Sequence, residues 1–292
     1  MKHIAFLLLL AVCTLTCCRR QQAGSVAFSE EIDLYPSCAQ DLESNGFTEE
    51  HSDSLHCWDV FSPTLTVYVP KQPSGQAILC LPGGSYAAVW YGSEGHNYAE
   101  WMTEQGITLA VLKYRMPNGH KNIPMADVRR AIQLMRGRYH EDWHVEQLGV
   151  MGFSAGGHLA STAATHWTSR GERPDFQVLF YPVITMDTAF THMDSRHFLL
   201  GDNPSEEEVR AYSNELRVTA DTPEAFVVWS ADDGLVPPDN SEAYCRALRE
   251  KGVNCTALCL PSGGHGWSGH HEFQYNALWQ TALSEWLRTI RK

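Results

Sequence analysis

The chain has no excess of positive charge. Its 22 Lys and Arg stand against 34 Asp and Glu, a formal net charge of −12. Nucleic-acid backbones are bound by clustered cations, so nucleic acid is excluded as an expected partner. Metal-ligand spacing is also missing. Nine cysteines and 14 histidines are present, yet there is no C-x-x-C pair and no Cys/His spacing typical of zinc. Beyond Val12 no apolar run is long enough to span a bilayer. Internal repeats, low-complexity tracts and a second-domain boundary are absent too. What is there is 292 residues, 43% hydrophobic and 19% charged. That composition supports a buried core, and the length suits a single α/β domain.

The N-terminus has a processing signature. Lys2 and His3 precede the apolar run Ile4 to Val12, and small or polar residues follow. This is the pattern of a secretory signal peptide. Leu15 lies three residues before Cys18, which resembles a bacterial lipobox. Cys18 would then carry a lipid that tethers a soluble domain to an envelope membrane. The residue before that cysteine is usually small and here is Cys17, so lipid on Cys18, lipid on Cys17 and no lipid stay open. The expected location is beyond the inner membrane, in the periplasm or envelope. The expected divisions are residues 1–18 as signal, 19–57 as tether and N-terminal segment, and 58–292 as one domain. Six cysteines follow the signal. Cys38 with Cys57, and Cys245 with Cys255 or Cys259, are the local disulfide candidates in an oxidising compartment. Cys80, in an apolar run, reads as a buried thiol.

From residue 76 onward, strand and helix patterns alternate. Gln76 to Leu81, Thr108 to Tyr114, Gln147 to Met151, Phe176 to Tyr181, Ala225 to Ser230 and Thr256 to Leu260 read as strands. Glu94 to Gln105, Pro124 to Tyr139, a run beginning at His158, Ser241 to Lys251 and the C-terminal segment read as helices. Asp59 to Val69 alternates as a half-exposed strand should. Short apolar strands between amphipathic helices imply a mostly parallel sheet with helices on both faces. Residues 183 to 222 are polar and irregular, with a helix expected over Glu206 to Tyr212, and form an insertion placed to cap a site.

One stretch concentrates the chemistry: Gly149 to Ala160, containing Gly152-Phe153-Ser154-Ala155-Gly156. A G-x-S-x-G between strand and helix reads as a tight turn that lifts the serine hydroxyl above the sheet. That hydroxyl needs a base, and the base needs an acid to orient it. His265, flanked by Gly263, Gly264 and Gly266, follows the last strand. Asp232 and Asp233 follow the strand before it. Asp233 opens a D-x-x-V-P pattern and is the favoured acid, with Asp232 the alternative. The order Ser, acid, His, each after a strand, is that of α/β-hydrolases. Oxyanion donors are expected from the Ala155 amide and from Gly84 and Ser85 in the loop Pro82-Gly83-Gly84-Ser85. Tyr86, Trp90, Tyr91 and Trp267 lie in the same loops, as a sugar platform, an acyl-pocket wall or simple packing. Asp127 and Arg129 read as structural.

Taken together, the motifs resemble a family. Pro-Gly-Gly-x-Tyr after a strand, Glu94-Gly95, Leu112-Lys113-Tyr114-Arg115-x-Pro, Asp127-Val-Arg-Arg-Ala-Ile, Gly-Phe-Ser-Ala-Gly-Gly-His-Leu-Ala, Asp-Asp-x-x-Val-Pro-x-x-Asn-Ser and Gly-Gly-His-Gly-Trp are similar to secreted α/β-hydrolase carbohydrate esterases. These are acetylxylan-esterase-like and feruloyl-esterase-like enzymes related to dienelactone hydrolase. The resemblance runs from Pro63 to the C-terminus. It implies an α/β-hydrolase fold, ester hydrolysis on an acylated glycan, and no metal or cofactor. Ser85 replaces the third glycine of the usual loop, Gly234 a frequent proline and Trp267 a usual phenylalanine. Dienelactone hydrolase proper has a cysteine where this chain has Ser154. Two other readings carry weight: a peptidase like the prolyl oligopeptidase catalytic domain, and a non-catalytic envelope protein that binds glycans.

Overall fold

The computed structural model of the chain describes residues 24–35, 42–270 and 272–292. The signal segment, Cys17, Cys18, Cys38 and His271 lie outside the described residues. The strands are β1 (Val26–Asp33), β2 (His51–Ser52), β3 (Cys57–Trp58), β4 (Thr64–Pro70), β5 (Gln76–Leu81), β6 (Ala88–Val89), β7 (Thr108–Lys113), β8 (Gln147–Phe153), β9 (Phe176–Phe180), β10 (Ala225–Ser230) and β11 (Cys255–Leu260). The helices are α1 (Ala99–Glu104), α2 (Ile123–Arg136), α3 (Ala155–Thr165), α4 (Met193–Leu200), α5 (Glu206–Tyr212), α6 (Asp239–Glu250) and α7 (Asn276–Thr289).

Eight strands form one sheet in the order β1-β4-β7-β5-β8-β9-β10-β11. β1 and β4 run antiparallel to their neighbours, and the other adjacent pairs are parallel. The central strands β5, β8, β9 and β10 are buried along their whole length, as parallel strands covered on both faces must be. β4 alternates, with Leu65, Val67 and Val69 inward. α1 and α7 meet through the Trp101 and Trp279 rings, 5.5 Å apart, while α3 packs on β8 and β9 and against α2. From β5 the chain steps to β7 on one side and then crosses to β8 on the other. That reversal opens a crevice at the carboxyl ends of β5 and β8, where open α/β sheets hold ligands.

The structure corrects several expectations. Residues from Val26 onward are not tether: β1 pairs with β4 from Val26↔Pro70 to Asp33↔Thr64. Its apolar signal is weak because an edge strand buries little, here Val26 and Glu30, and Glu30 accepts a 2.6 Å hydrogen bond from the Trp143 indole. Residues 51–58 also belong to the folded body, as β2 and β3 in a small sheet with β6. The helix expected from Glu94 starts only at Ala99, after a 3-10 turn over His96–Tyr98, because Glu94 points inward to hydrogen-bond the loop after β5. α4 lies within the segment read as irregular; it buries only Ser195 and Leu199, too little for an apolar stripe. The expected pairing of Cys245 with Cys255 or Cys259 is not formed. Cys245 is a buried free thiol, Cys255 a half-buried one, and Cys259 is exposed.

A buried ion pair locks the segment after β7 to α2. Asp127 is fully buried, and its carboxylate accepts from Arg115 Nη2 at 2.6 Å, Arg115 Nε at 3.1 and 3.0 Å, the Arg115 amide at 2.9 Å and the Tyr35 hydroxyl at 3.0 Å. Removing one partner would leave an uncompensated buried charge. Asp127→Ala is expected to lower the unfolding free energy by about 3–5 kcal/mol, read from urea denaturation.

Candidate active site

Ser154 is the single residue between β8 and α3, and its backbone is bent to φ 52° and ψ −120°. An L-residue adopts that conformation only when its surroundings impose it. The two motif glycines show what imposes it. A Cβ on Gly152 would lie 2.2 Å from the Gly156 carbonyl oxygen, and one on Gly156 would lie 2.0 Å from that of Leu81. The strand, the helix and the end of β5 therefore meet at backbone contact. The Ser154 amide donates to Phe180 O at 3.1 Å, and its carbonyl accepts from the Val183 amide at 3.0 Å.

His265 reaches this hydroxyl from the loop after β11. Its Nε2 lies 2.9 Å from Ser154 Oγ, and its Nδ1 lies 2.7 Å from Asp233 Oδ2. The remaining Asp233 oxygen accepts from the Leu235 and Val236 amides at 3.0 and 2.9 Å, so the carboxylate is clamped on both sides. Asp232 does something else: it accepts from the Gly264 amide at 2.9 Å and so holds the loop that carries His265. That amide keeps the Asp232 carboxyl below its usual range. The geometry thus separates the two candidate acids. Gly263, Gly264 and Gly266 all have positive φ, the backbone freedom this loop needs to turn back over the sheet. A serine hydroxyl, an imidazole and a buried carboxylate in this sequence can pass a proton from oxygen to nitrogen and hold the resulting cation.

The loop after β5 runs alongside. A Cβ on Gly83 would lie 3.1 Å from Ser154 Cβ, so the loop that continues into Gly84 and Ser85 passes against the serine. Ala155 opens α3 directly after the serine. Gly84, Ser85 and Tyr86 all have positive φ, and the Gly84 carbonyl accepts from the Ala87 and Ala88 amides at 2.9 Å each. Glu94 anchors the loop from below. It is buried, accepts from the Gly83 amide at 2.7 Å and from the Tyr181 hydroxyl at 2.8 Å, and burial pushes its carboxyl pKa up. Tyr181 in turn hydrogen-bonds Ser268, and its ring centroid lies 4.6 Å from that of His265. One buried carboxylate thus ties the loop after β5 to the ring that supports the imidazole.

The aromatic candidates divide. Tyr86 is 2% exposed, and its hydroxyl meets His158 Nδ1 at 2.7 Å, while His158 Nε2 donates to Tyr212 O at 2.8 Å. Trp267 is also 2% exposed and stacks on Phe273 at 4.7 Å. Both are packing residues rather than a platform, because their faces are covered. Tyr91 donates to Asp53 O at 2.6 Å. Trp90 alone of the four is open, at 43%. The sequence reading missed Glu94, Tyr181, His158 and His192 as parts of the site. Glu94 and His158 sat within quoted motifs, but their hydrogen-bond partners are distant in sequence. His192, before α4, is buried within electrostatic reach of His265 and Asp233, and burial lowers its pKa. The insertion borders the site through Val183 and Tyr212: the Val183 amide donates to the Ser154 carbonyl at 3.0 Å, and the Tyr212 carbonyl accepts from His158 at 2.8 Å.

A parallel sheet with a serine elbow at its crossover, and an acid and histidine on later loops, defines an α/β hydrolase. The chain belongs to the alpha/beta hydrolase fold family, whose model matches residues 78–269. It is 35% identical over 243 residues to an acetylxylan esterase of Xylanibacter ruminicola, covering 81% of this chain and 50% of that protein. It is 33% identical over 225 residues to endo-1,4-beta-xylanase B of Butyrivibrio fibrisolvens, covering 70% of this chain and 35% of that protein. The chain thus spans half or less of the length of these two curated relatives. Among solved structures, an acetyl ester-xyloside bifunctional hydrolase from Caldicellulosiruptor lactoaceticus superposes with a TM-score of 0.78 at 30% identity. That match covers 89% of this chain and 96% of that one.

Two measurements follow. Asp233→Asn is expected to lower kcat on nitrophenyl acetate by about four orders of magnitude, and Asp232→Asn by less than about tenfold. Burial pushes the His158 pKa down to about 4, whereas an unfolded histidine titrates near 6.5. Between those values the unfolded state binds the extra proton. This histidine's contribution is therefore intact above pH 6.5 and is lost as pH falls towards 4, by about 3 kcal/mol in all. Urea titrations across that window should show this component in the wild type and a smaller slope in His158→Gln.

Proposed function

We propose that the chain is a serine carboxyl-ester hydrolase that removes small acyl groups, acetate foremost, from a polysaccharide or oligosaccharide. The observation that carries this is His265, with Ser154 2.9 Å from one ring nitrogen and Asp233 2.7 Å from the other, at the crossover of the sheet. Ser154 Oγ attacks the ester carbonyl carbon while His265 Nε2 takes the hydroxyl proton. The oxyanion is received by the amides of Ala155, Gly84 and Ser85, and Asp233 holds the imidazolium. The tetrahedral intermediate collapses, and the departing sugar oxygen takes the proton from His265. Water then attacks the acyl-Ser154 ester by the same route, releasing the carboxylate and the free serine. No step requires a metal or cofactor.

The acetyl and xylan preference rests on the relatives. Two of them are named for acetyl esters, two for xylan and one for a xyloside. A net charge of −12 also suits a neutral acylated glycan better than an anionic polymer. The apolar N-terminal run supports action outside the inner membrane, with Cys18 or Cys17 as the position at which a lipid would tether it.

Acyl-chain profiling with acetyl, butyryl and feruloyl esters, beside acetate release from acetylated xylan, tests the reading. Acetyl esters are expected to be turned over fastest, and Ser154→Ala to lose about six orders of magnitude in kcat. Wild-type turnover by Ser154→Ala would reject the serine mechanism.

A further inference from the structure

Two exposed tryptophans lie on the small sheet. Trp58, on β3, is 39% exposed, and Trp90, directly after β6, is 43% exposed; Leu55, at 41%, sits in the turn between β2 and β3. Between the two indoles stands His56, with its ring centroid 5.5 Å from Trp58 and 4.5 Å from Trp90. Large apolar rings open to water cost free energy, and contiguous apolar patches mark binding surfaces.

The cluster is held rigidly. Asp53 Oδ1 accepts from the Leu55 and His56 amides at 2.7 Å each, and its Oδ2 lies 3.1 Å from His56 Nδ1. The Asp53 carbonyl receives the Tyr91 hydroxyl, and the Leu55 carbonyl receives the Gly92 amide at 2.9 Å. A Cβ on Gly92 would lie 2.6 Å from Leu55 Cα, so the turn and the loop touch backbone to backbone. A surface ordered before its ligand arrives loses less entropy on binding.

The cluster is also continuous with the reactive centre. The Trp90 amide donates to Gly83 O at 3.1 Å, and Trp90 Cδ1 lies 3.0 Å from where a Cβ on Gly84 would stand. From Ser154 the surface passes over Gly83 and Gly84 to Trp90, then His56, then Trp58. His56 and Trp58 precede residue 78, where the family match begins.

We propose that Trp90, His56 and Trp58 form a carbohydrate subsite that stacks a pyranose ring of the acylated glycan, next to the ring whose ester lies at Ser154. This rests on the esterase reading above. A pyranose presents an apolar C–H face to an indole and hydroxyls at its rim, and the His56–Asp53 pair supplies polar partners at the edge. A neutral sugar also meets no charge penalty here. The platform fixes which residue of an oligosaccharide is presented to Ser154 and selects glycan esters over small ones.

The test compares two substrates: acetylated xylotetraose, which reaches the platform, and nitrophenyl acetate, which does not. In Trp58→Ala and Trp90→Ala the ratio of kcat/KM for the first over the second is expected to fall about tenfold, mainly through KM. Trp58→Tyr keeps a stacking face and is expected to restore most of that ratio. In a Ser154→Ala background, unacetylated xylotetraose should quench tryptophan fluorescence, and Trp58→Ala should weaken that binding by a similar factor. An unchanged substrate ratio, or equal loss on both esters, overturns the subsite while leaving the esterase reading intact. Wild-type protein that turns over neither ester overturns the esterase reading itself, and nitrophenyl acetate turnover that survives Ser154→Ala overturns the serine mechanism.

Discussion

The close approach of β8, α3 and β5 at Gly152 and Gly156 is the constraint on which the rest depends. With 2.2 Å and 2.0 Å between the missing Cβ positions and the nearest carbonyl oxygens, no other residue fits. That contact forces Ser154 into a positive φ, and α3 begins immediately after it. It also brings Leu81 and the Gly83–Ser85 turn against the serine. The hydroxyl, the helix start and the loop amides are therefore products of one packing event. The strain at a single residue is borne by the surrounding strands, which are buried on both faces.

A second layer of order comes from buried polar groups. Glu94 joins the Gly83 amide to the Tyr181 hydroxyl, and Tyr181 lies under the His265 ring. His158 joins Tyr86, at the far side of the same loop, to the Tyr212 carbonyl at the end of α5. In these two links each buried donor meets an acceptor, and an unmet one would cost about 1–3 kcal/mol. The loop after β5 is thus braced from two directions by residues that do not touch the serine. This is how a turn with three consecutive positive-φ residues is kept in one conformation. The insertion over residues 183–222 is bound into the same system through Val183 and Tyr212.

Much of this was legible in the sequence where the signal is local. Continuous apolar runs marked the central strands, whose observed bounds match at Gln76–Leu81 and Ala225–Ser230. The capping box of Ser205 and Glu208 lies at the start of the expected helix over residues 206–212. Elements with little burial escaped. β1 is a polar edge strand, and α4 buries two residues. The aromatics in the site loops could not be sorted by pattern, because burial of Tyr86 and Trp267 and exposure of Trp90 depend on neighbours far along the chain.

By itself the sequence determined the family, the strand and helix alternation, and the residue types of Ser154, Asp233 and His265 in their order. Those follow from local turn chemistry and periodicity, which neighbouring residues encode. Only the tertiary structure decided that Asp233 and not Asp232 faces His265, since adjacent carboxylates differ only in direction. It also decided that Glu94 and His158 brace the loop after β5, and that residues 51–57, in the N-terminal segment set apart from the domain, join it in the small sheet. These depend on contacts between segments up to 111 residues apart, as between His265 and Ser154, and packing alone brings such segments together.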